Sequence, residues 1–94
     1  MRFEWDETKA RNNLRKHRVS FSEAATVFDD PLYVDFYDPD HSLEEHRYII
    51  IGESERGRVL IVAYTSRNDR IRIINARKVA DTERQAYEEG QTIH

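Results

Sequence analysis

The sequence predicts an α+β fold: two N-terminal helices, a mostly antiparallel sheet of about four strands built from neighbouring hairpins, and a C-terminal helix. Three observations carry the prediction. Residues 6–28 place apolar residues at helical spacing between capping signals. Residues 33–77 hold four β-branched and aromatic runs separated by short turn sequences. With 94 residues, the chain has no room for a second core, so residues 1–94 are expected to form a single domain.

The elements follow in order. Arg2–Trp5 is a short extended segment, and Asp6 caps a helix over Glu7–His17 that is rich in Ala, Arg, Lys and Leu. Its thin apolar stripe is Ala10, Leu14 and the ring of His17, while Lys9, Asn13 and Lys16 lie on a neighbouring stripe. Ser20 and Glu23 form a capping box for a second helix, with Phe21, Ala24, Ala25 and Phe28 inward. Asp29-Asp30-Pro31 ends it, because proline disfavours helical backbone at the residue before it. Tyr33–Tyr37 is a strand that stops at the turn Asp38-Pro39-Asp40. Arg47–Gly52 and Arg58–Arg67 are strands joined by a hairpin connection over Glu53–Gly57. Asn68-Asp69 then makes a tight turn into the strand Arg70–Arg77. By period two, Ile71, Ile73, Asn75 and Arg77 share one face of that strand, and Arg72, Ile74 and Ala76 share the other. Asp81 or Thr82 caps the last helix, which ends near Gly90 with Ala86 and Tyr87 inward.

Composition excludes several classes of function. With no cysteine there is no disulfide, Cys-ligated zinc, iron–sulfur cluster or thiol catalysis. No apolar run approaches the roughly 20 residues that span a bilayer. The segment MRFEWDETKARNNLRKH has no signal-peptide core, so a cytoplasmic chain without membrane contact is expected. His17, His41, His46 and His94 lack metal-binding spacing, and no metal or other cofactor is expected. Three glycines leave no phosphate-cradling loop.

The net charge of -3 hides an uneven distribution. Residues 1–18 carry six Lys and Arg, residues 19–45 carry none and eight acids, and residues 46–77 carry seven Arg. If the fold joins the two basic segments, they make a local positive face. Arg72 and Arg77 fit either of two readings: snorkelling from the sheet edge or pairing with Glu83 or Glu88 of the last helix, or gripping phosphate with their guanidinium forks. His17 is either a cation at a helix C-terminus or a general acid or base. Lys9 and Lys16 read as helix-surface residues, and Trp5 as core or as a stacking platform for a base.

The motifs FEWDETKARNNLRKHRVSFSEAATVFDDP (3–31), EEHRYIIIG (44–52), VLIVAYTSR (59–67) and IRIINARKV with ERQAYE (71–88) resemble the BrnT toxin family in register over nearly the whole chain. The resemblance implies a RelE-like fold and the toxin half of a bacterial type II toxin–antitoxin pair, a ribonuclease that arrests translation. It also implies a BrnA-like antitoxin with a ribbon-helix-helix DNA-binding domain. That antitoxin neutralises the toxin and contacts operator DNA on behalf of the pair. Trp5, Asp6, Lys9, Asn13, Lys16 and His17 match the family's N-terminal motif. Arg47, Arg67, Arg72, Ala76 and Arg77 match its strand motifs, and Glu83 and Tyr87 its last helix. Arg18 stands where the family usually has glycine, Asn75 where it has serine, and His46 where an acid often precedes the arginine.

On this reading, Lys9 or His17 handles protons in metal-independent RNA cleavage, and Arg67 and Arg77 stabilise the phosphorane. Trp5, Asn13, Lys16, Arg47 and Arg72 contact the RNA. Two alternatives remain at this point. One is a non-catalytic RNA- or protein-binding module. The other is a DNA-binding repressor, which the N-terminal helix pair does not support because it lacks helix-turn-helix spacing.

Overall fold

The computed structural model describes residues 1–90, so His94 lies outside the described residues. The chain runs through β1 (Arg2–Glu4), α1 (Glu7–His17), α2 (Phe21–Thr26), β2 (Val34–Tyr37), β3 (Tyr48–Glu53), β4 (Val59–Arg67), β5 (Arg70–Lys78) and α3 (Asp81–Glu89). Single 3₁₀ turns cover Val27–Asp29 and Pro39–His41. The described residues form one sheet in the order β1-β5-β4-β3-β2, antiparallel except where β1 runs parallel to β5. This is the α+β architecture that the sequence predicts. The four long runs pair as neighbouring hairpins, and the N-terminal extended segment adds a fifth strand against β5.

Local chemistry sets the helix ends. Asp6 accepts from the Lys9 N–H at 2.9 Å and begins α1. Arg18 closes α1 in the left-handed region (φ 60°), with its N–H donating to Leu14 O at 2.9 Å. A glycine meets that conformation without steric cost, so Arg18 keeps the tight cap under strain. Ser20 Oγ caps α2 by accepting from the Glu23 N–H at 3.0 Å. The return half of the expected capping box is replaced, because the Glu23 carboxylate instead bonds Arg58 and Ser54. Ala80, rather than Asp81 or Thr82, is the N-cap of α3, and its N–H donates to Glu83 Oε1 at 2.8 Å.

The core lies between the sheet and the α1–α2 pair. Val19, Phe21, Ala24 and Val27 pack on Ile50, Leu60, Val62, Tyr64, Ile73 and Ala76. Trp5 is half-buried against Phe21, with ring centroids 6.0 Å apart. A chain of edge-on and stacked rings, Phe3–Phe28–Tyr64–Tyr48–Tyr37, continues the core along the sheet. A Cβ at Gly52 would stand 2.9 Å from Val27 Cγ1, so the run Tyr48–Glu53 carries a glycine where the 3₁₀ turn presses on the strand.

Two sequence expectations about facing are corrected. The buried residue of α1 beside Ala10 is Asn13, whereas Leu14 is half exposed. The reason is hydrogen bonding. Asn13 Nδ2 donates to Val19 O (2.9 Å) and Ala76 O (2.8 Å), and Oδ1 accepts from Ala76 N–H (3.1 Å). One amide thereby ties α1, the α1–α2 connection and β5 together.

The second correction concerns β5. Strict alternation puts Ile73 with Asn75 and Arg77, but the register with β4 shifts between Ala63, opposite Asn75, and Tyr64, opposite Ile73. Ile74 is an extra, bulged residue, and it resets the phase of the strand. Ile71, Ile73 and Ala76 therefore belong to the core side, and Arg70, Arg72, Asn75 and Arg77 to the opposite face. Asn75 and Arg77 thus do not share a face with Ile71 and Ile73.

A candidate active site lined by arginine

The sheet face turned away from α1 and α2 carries the candidate site. Pairing aligns Arg47 beyond β3, Ala63, Thr65 and Arg67 on β4, and Asn75 and Arg77 on β5. Three adjoining grooves run from the β5 edge onto this face. An edge groove of about 380 Å³ lies between Lys9, Lys16 and His17 of α1 and Asn75 and Arg77 of β5. A face groove shares Asn75 and Arg77 and adds Asp38, His41 and Arg47. An outer groove of about 570 Å³ shares His41 and Arg47 and adds Glu45 and Arg67. The shared residues make one continuous surface from α1 to the end of β4.

The fold brings the two basic segments together here, since α1 lies against β5. Arg77 and Arg67 are nevertheless occupied. Arg77 grips Glu83 of α3 with two bonds of 2.8 Å. Each partner favours the charge of the other, so the Glu83 carboxyl is held below its ordinary range and the Arg77 guanidinium is raised. Arg67 donates from Nε (3.0 Å) and Nη2 (2.8 Å) to Glu45 Oε2. The loop bearing Glu45 is tied down where Thr65 Oγ1 donates to His46 O at 2.7 Å. Arg47 is half-buried, and among the described residues it has no carboxylate at ion-pair distance. Lys9 and Lys16 are exposed and likewise unpaired.

Of the residues singled out in the sequence, Lys9, Lys16, His17, Arg47, Arg67 and Arg77 line these grooves. Three others do not present a free group there. Asn13 reaches the floor of the edge groove, but its amide is taken up by backbone. Arg72 pairs with Glu4 of β1 at 2.8 Å. Trp5 packs on Phe21. Sequence reasoning missed Asn75, His41 and Asp38. His41 Nδ1 stands 2.9 Å from Asp38 Oδ2, and the Asp-x-x-His spacing within DPDH was the available signal. Among the described residues, no three His, Asp or Glu side chains are grouped to hold a metal ion, and no helix is long and apolar enough to cross a membrane.

The unpaired Arg47, the exposed Lys9 and Lys16, and the partly exposed ion pairs of Arg67 and Arg77 along a shallow, continuous groove define a small α+β protein suited to holding a polyanionic strand. The comparisons narrow this. A family model described as "Ribonuclease toxin, BrnT, of type II toxin-antitoxin system" matches residues 5–83, and the chain belongs to that family of ribonuclease toxins. Its fold resembles the crystal structure of the Brucella abortus ribonuclease toxin, BrnT. The TM-score is 0.63 at 20% identity, covering 86% of this chain and 99% of that one. A search of curated proteins by sequence finds no significant match.

Proposed function

We propose that this toxin is a metal-independent endoribonuclease that inhibits translation, with its cleavage site on the arginine-lined face of the sheet. The observation that carries the reading is the continuity of the grooves, through which Arg77, Arg47 and Arg67 follow one another along a single path. Cleavage without a metal requires the 2′-hydroxyl to lose a proton, the phosphorane charge to be stabilised, and the 5′-oxygen to gain a proton. Guanidinium forks supply the second requirement by binding non-bridging oxygens in pairs. Glu83 meets the Arg77 fork with both carboxylate oxygens, and one oxygen of Glu45 accepts from two nitrogens of Arg67, contacts of the kind a phosphate takes. Lys9 and His17 line the groove that ends at Arg77, where they serve as proton carriers or as contacts to the strand. Lys16 adds positive charge beside them, and Arg72 and Trp5 support the β1 side.

Membership of a type II system implies an antitoxin partner and an RNA target. We take the antitoxin to be BrnA-like, with a ribbon-helix-helix domain that makes the pair's contact with operator DNA. The toxin then works in the cytoplasm.

The test is incubation of the purified chain with single-stranded RNA in EDTA, beside an Arg67→Ala, Arg77→Ala double variant. Fragments ending in a cyclic phosphate are expected from the wild type. The double variant should lose at least about 100-fold in rate, the usual scale for removing transition-state charge stabilisation. Equal cleavage by a folded double variant excludes the arginine clamp. Salt-sensitive binding without product, on free RNA and on translating ribosomes, would instead identify a binding module.

A further inference from the structure

We propose that His41, oriented by Asp38, is the catalytic residue that carries the proton during cleavage, in place of Lys9 or His17. The assignment rests on the reading of the arginine-lined face as the cleavage site. Its first support is position. His41 and Arg47 are the two residues shared by the face groove and the outer groove, and Arg67 lines the outer groove with them. A phosphate between Arg47 and Arg67 therefore lies beside the imidazole.

Orientation is the second support. Asp38 Oδ2 accepts from His41 Nδ1 at 2.9 Å, which fixes the tautomer and leaves Nε2 for a substrate hydroxyl. The His41 side chain is 66% exposed while that of Asp38 is 18% exposed, so the carboxylate anchors and the ring faces outward. His17 has no such partner among the described residues.

The third support is that the loop does not need this pair for its own closure. Asp38 N–H donates to Arg47 O at 2.9 Å, Ser42 Oγ donates to Asp38 O at 2.5 Å, and Arg47 N–H donates to Ser42 Oγ at 2.9 Å. Those three bonds close the neck of the loop, and the His41–Asp38 contact is additional to them.

In the proposed step, neutral Nε2 takes the proton of the 2′-hydroxyl as the 2′-oxygen forms its bond to phosphorus. The P–O5′ bond then breaks, and the same proton passes from Nε2 to the departing 5′-oxygen. One strand ends in a 2′,3′-cyclic phosphate, the other begins with a 5′-hydroxyl, and the imidazole finishes neutral. Arg47 and Arg67 hold the non-bridging oxygens throughout. The charged groups facing His41 are Asp38, Asp40, Glu44, Glu45, Arg47 and Arg67, with Arg77 across the face groove.

The experiment measures cleavage of single-stranded RNA, free and on translating ribosomes, from pH 5 to 9 by the full chain and by His41→Ala, Asp38→Asn, His17→Ala and Lys9→Ala. His41→Ala is expected to lose at least about 100-fold in rate, within the range for a general acid–base group. It should also lose the wild-type change of rate with pH. Free imidazole should restore part of the activity to His41→Gly, a rescue that a merely structural residue would not show. Asp38→Asn should fall by about 10-fold with the pH profile displaced. Wild-type rate and pH profile in His41→Ala overturn the assignment and leave the cleavage reading standing. So does transfer of the large loss and the profile change to His17→Ala or Lys9→Ala. A wild-type chain that cuts neither substrate overturns both.

Discussion

Asn13 and Glu23 lie on the side of the sheet covered by α1 and α2, whereas Arg67 and Arg77 lie on the other. All four are polar groups in ordered contacts, but only the first two are sealed from water. Asn13 is 7% exposed and satisfies three backbone groups. Glu23 is 3% exposed and is ringed by Arg58 and Ser54, while Arg58 also donates to Arg18 O. Their hydrogen-bond partners are buried or half-buried, and removing either side chain strands groups that water does not freely reach. Arg67 and Arg77 have side chains 51% and 42% exposed, and water can replace either partner. Burial separates polar groups that hold the fold from polar groups available to a ligand.

The largest expected break in that comparison is Glu23→Ala, which leaves the Arg58 guanidinium, 24% exposed, without its carboxylate. Denaturant unfolding should show a loss of about 3 kcal/mol, the low end for breaking a buried pair. Asn13→Ala should cost about 2–3 kcal/mol by orphaning the Ala76 and Val19 groups. It should lower toxicity only as far as it lowers the folded fraction, and a large activity loss at full stability would make Asn13 an RNA contact after all.

Acid titration sharpens the contrast. Hydrogen bonds from Arg58 hold the Glu23 carboxyl below its ordinary 4.5, against the opposing effect of burial. Its folded value is depressed, so its contribution is present above about pH 4.5 and is lost as pH falls through the folded value. Glu83 carries the same sign through Arg77. Between pH 5 and 3, Glu23→Gln should flatten the decline in unfolding free energy more than Glu83→Gln does.

Smaller effects follow at the surface. Arg18→Gly should raise stability by about 1 kcal/mol by relieving the left-handed backbone at φ 60°. Single alanine substitutions at Arg67 and Arg77 should cost less than about 1 kcal/mol in stability, as exposed pairs do, while cutting cleavage severely. A stability loss several times larger would place those arginines with Glu23 rather than with the ligand-facing groups.

The contrast also explains how far the sequence was legible. Helix ends and strand runs depend on local chemistry, so α1 is read at its observed bounds and the long strands shift by a residue at most. The polar clamps depend on distant partners. Nothing local says that Asn13 meets Ala76, 63 residues on, or that Glu23 leaves its capping box for Arg58. The Ile74 bulge is likewise visible only in the pairing with β4, and it decides which face the arginines occupy. Within the candidate site, the family motifs mark the arginines. The His41–Asp38 contact lies in a loop that reads, on composition alone, as a plain turn.

The pairing of Arg67 with Glu45 and of Arg77 with Glu83 has a consequence for the thermodynamics of RNA binding. In ion-exchange terms, the protein carries two of its own counterions covalently. A phosphate that takes either fork displaces a tethered carboxylate rather than releasing an ion into bulk solution. Salt dependence should therefore reflect Arg47, Lys9 and Lys16, at about 0.7 ions per phosphate on a single strand, with little added by the two paired arginines. The displaced glutamates remain beside their arginines and compete for them again once the strand is cut. The resting ion pairs thus favour release of the product.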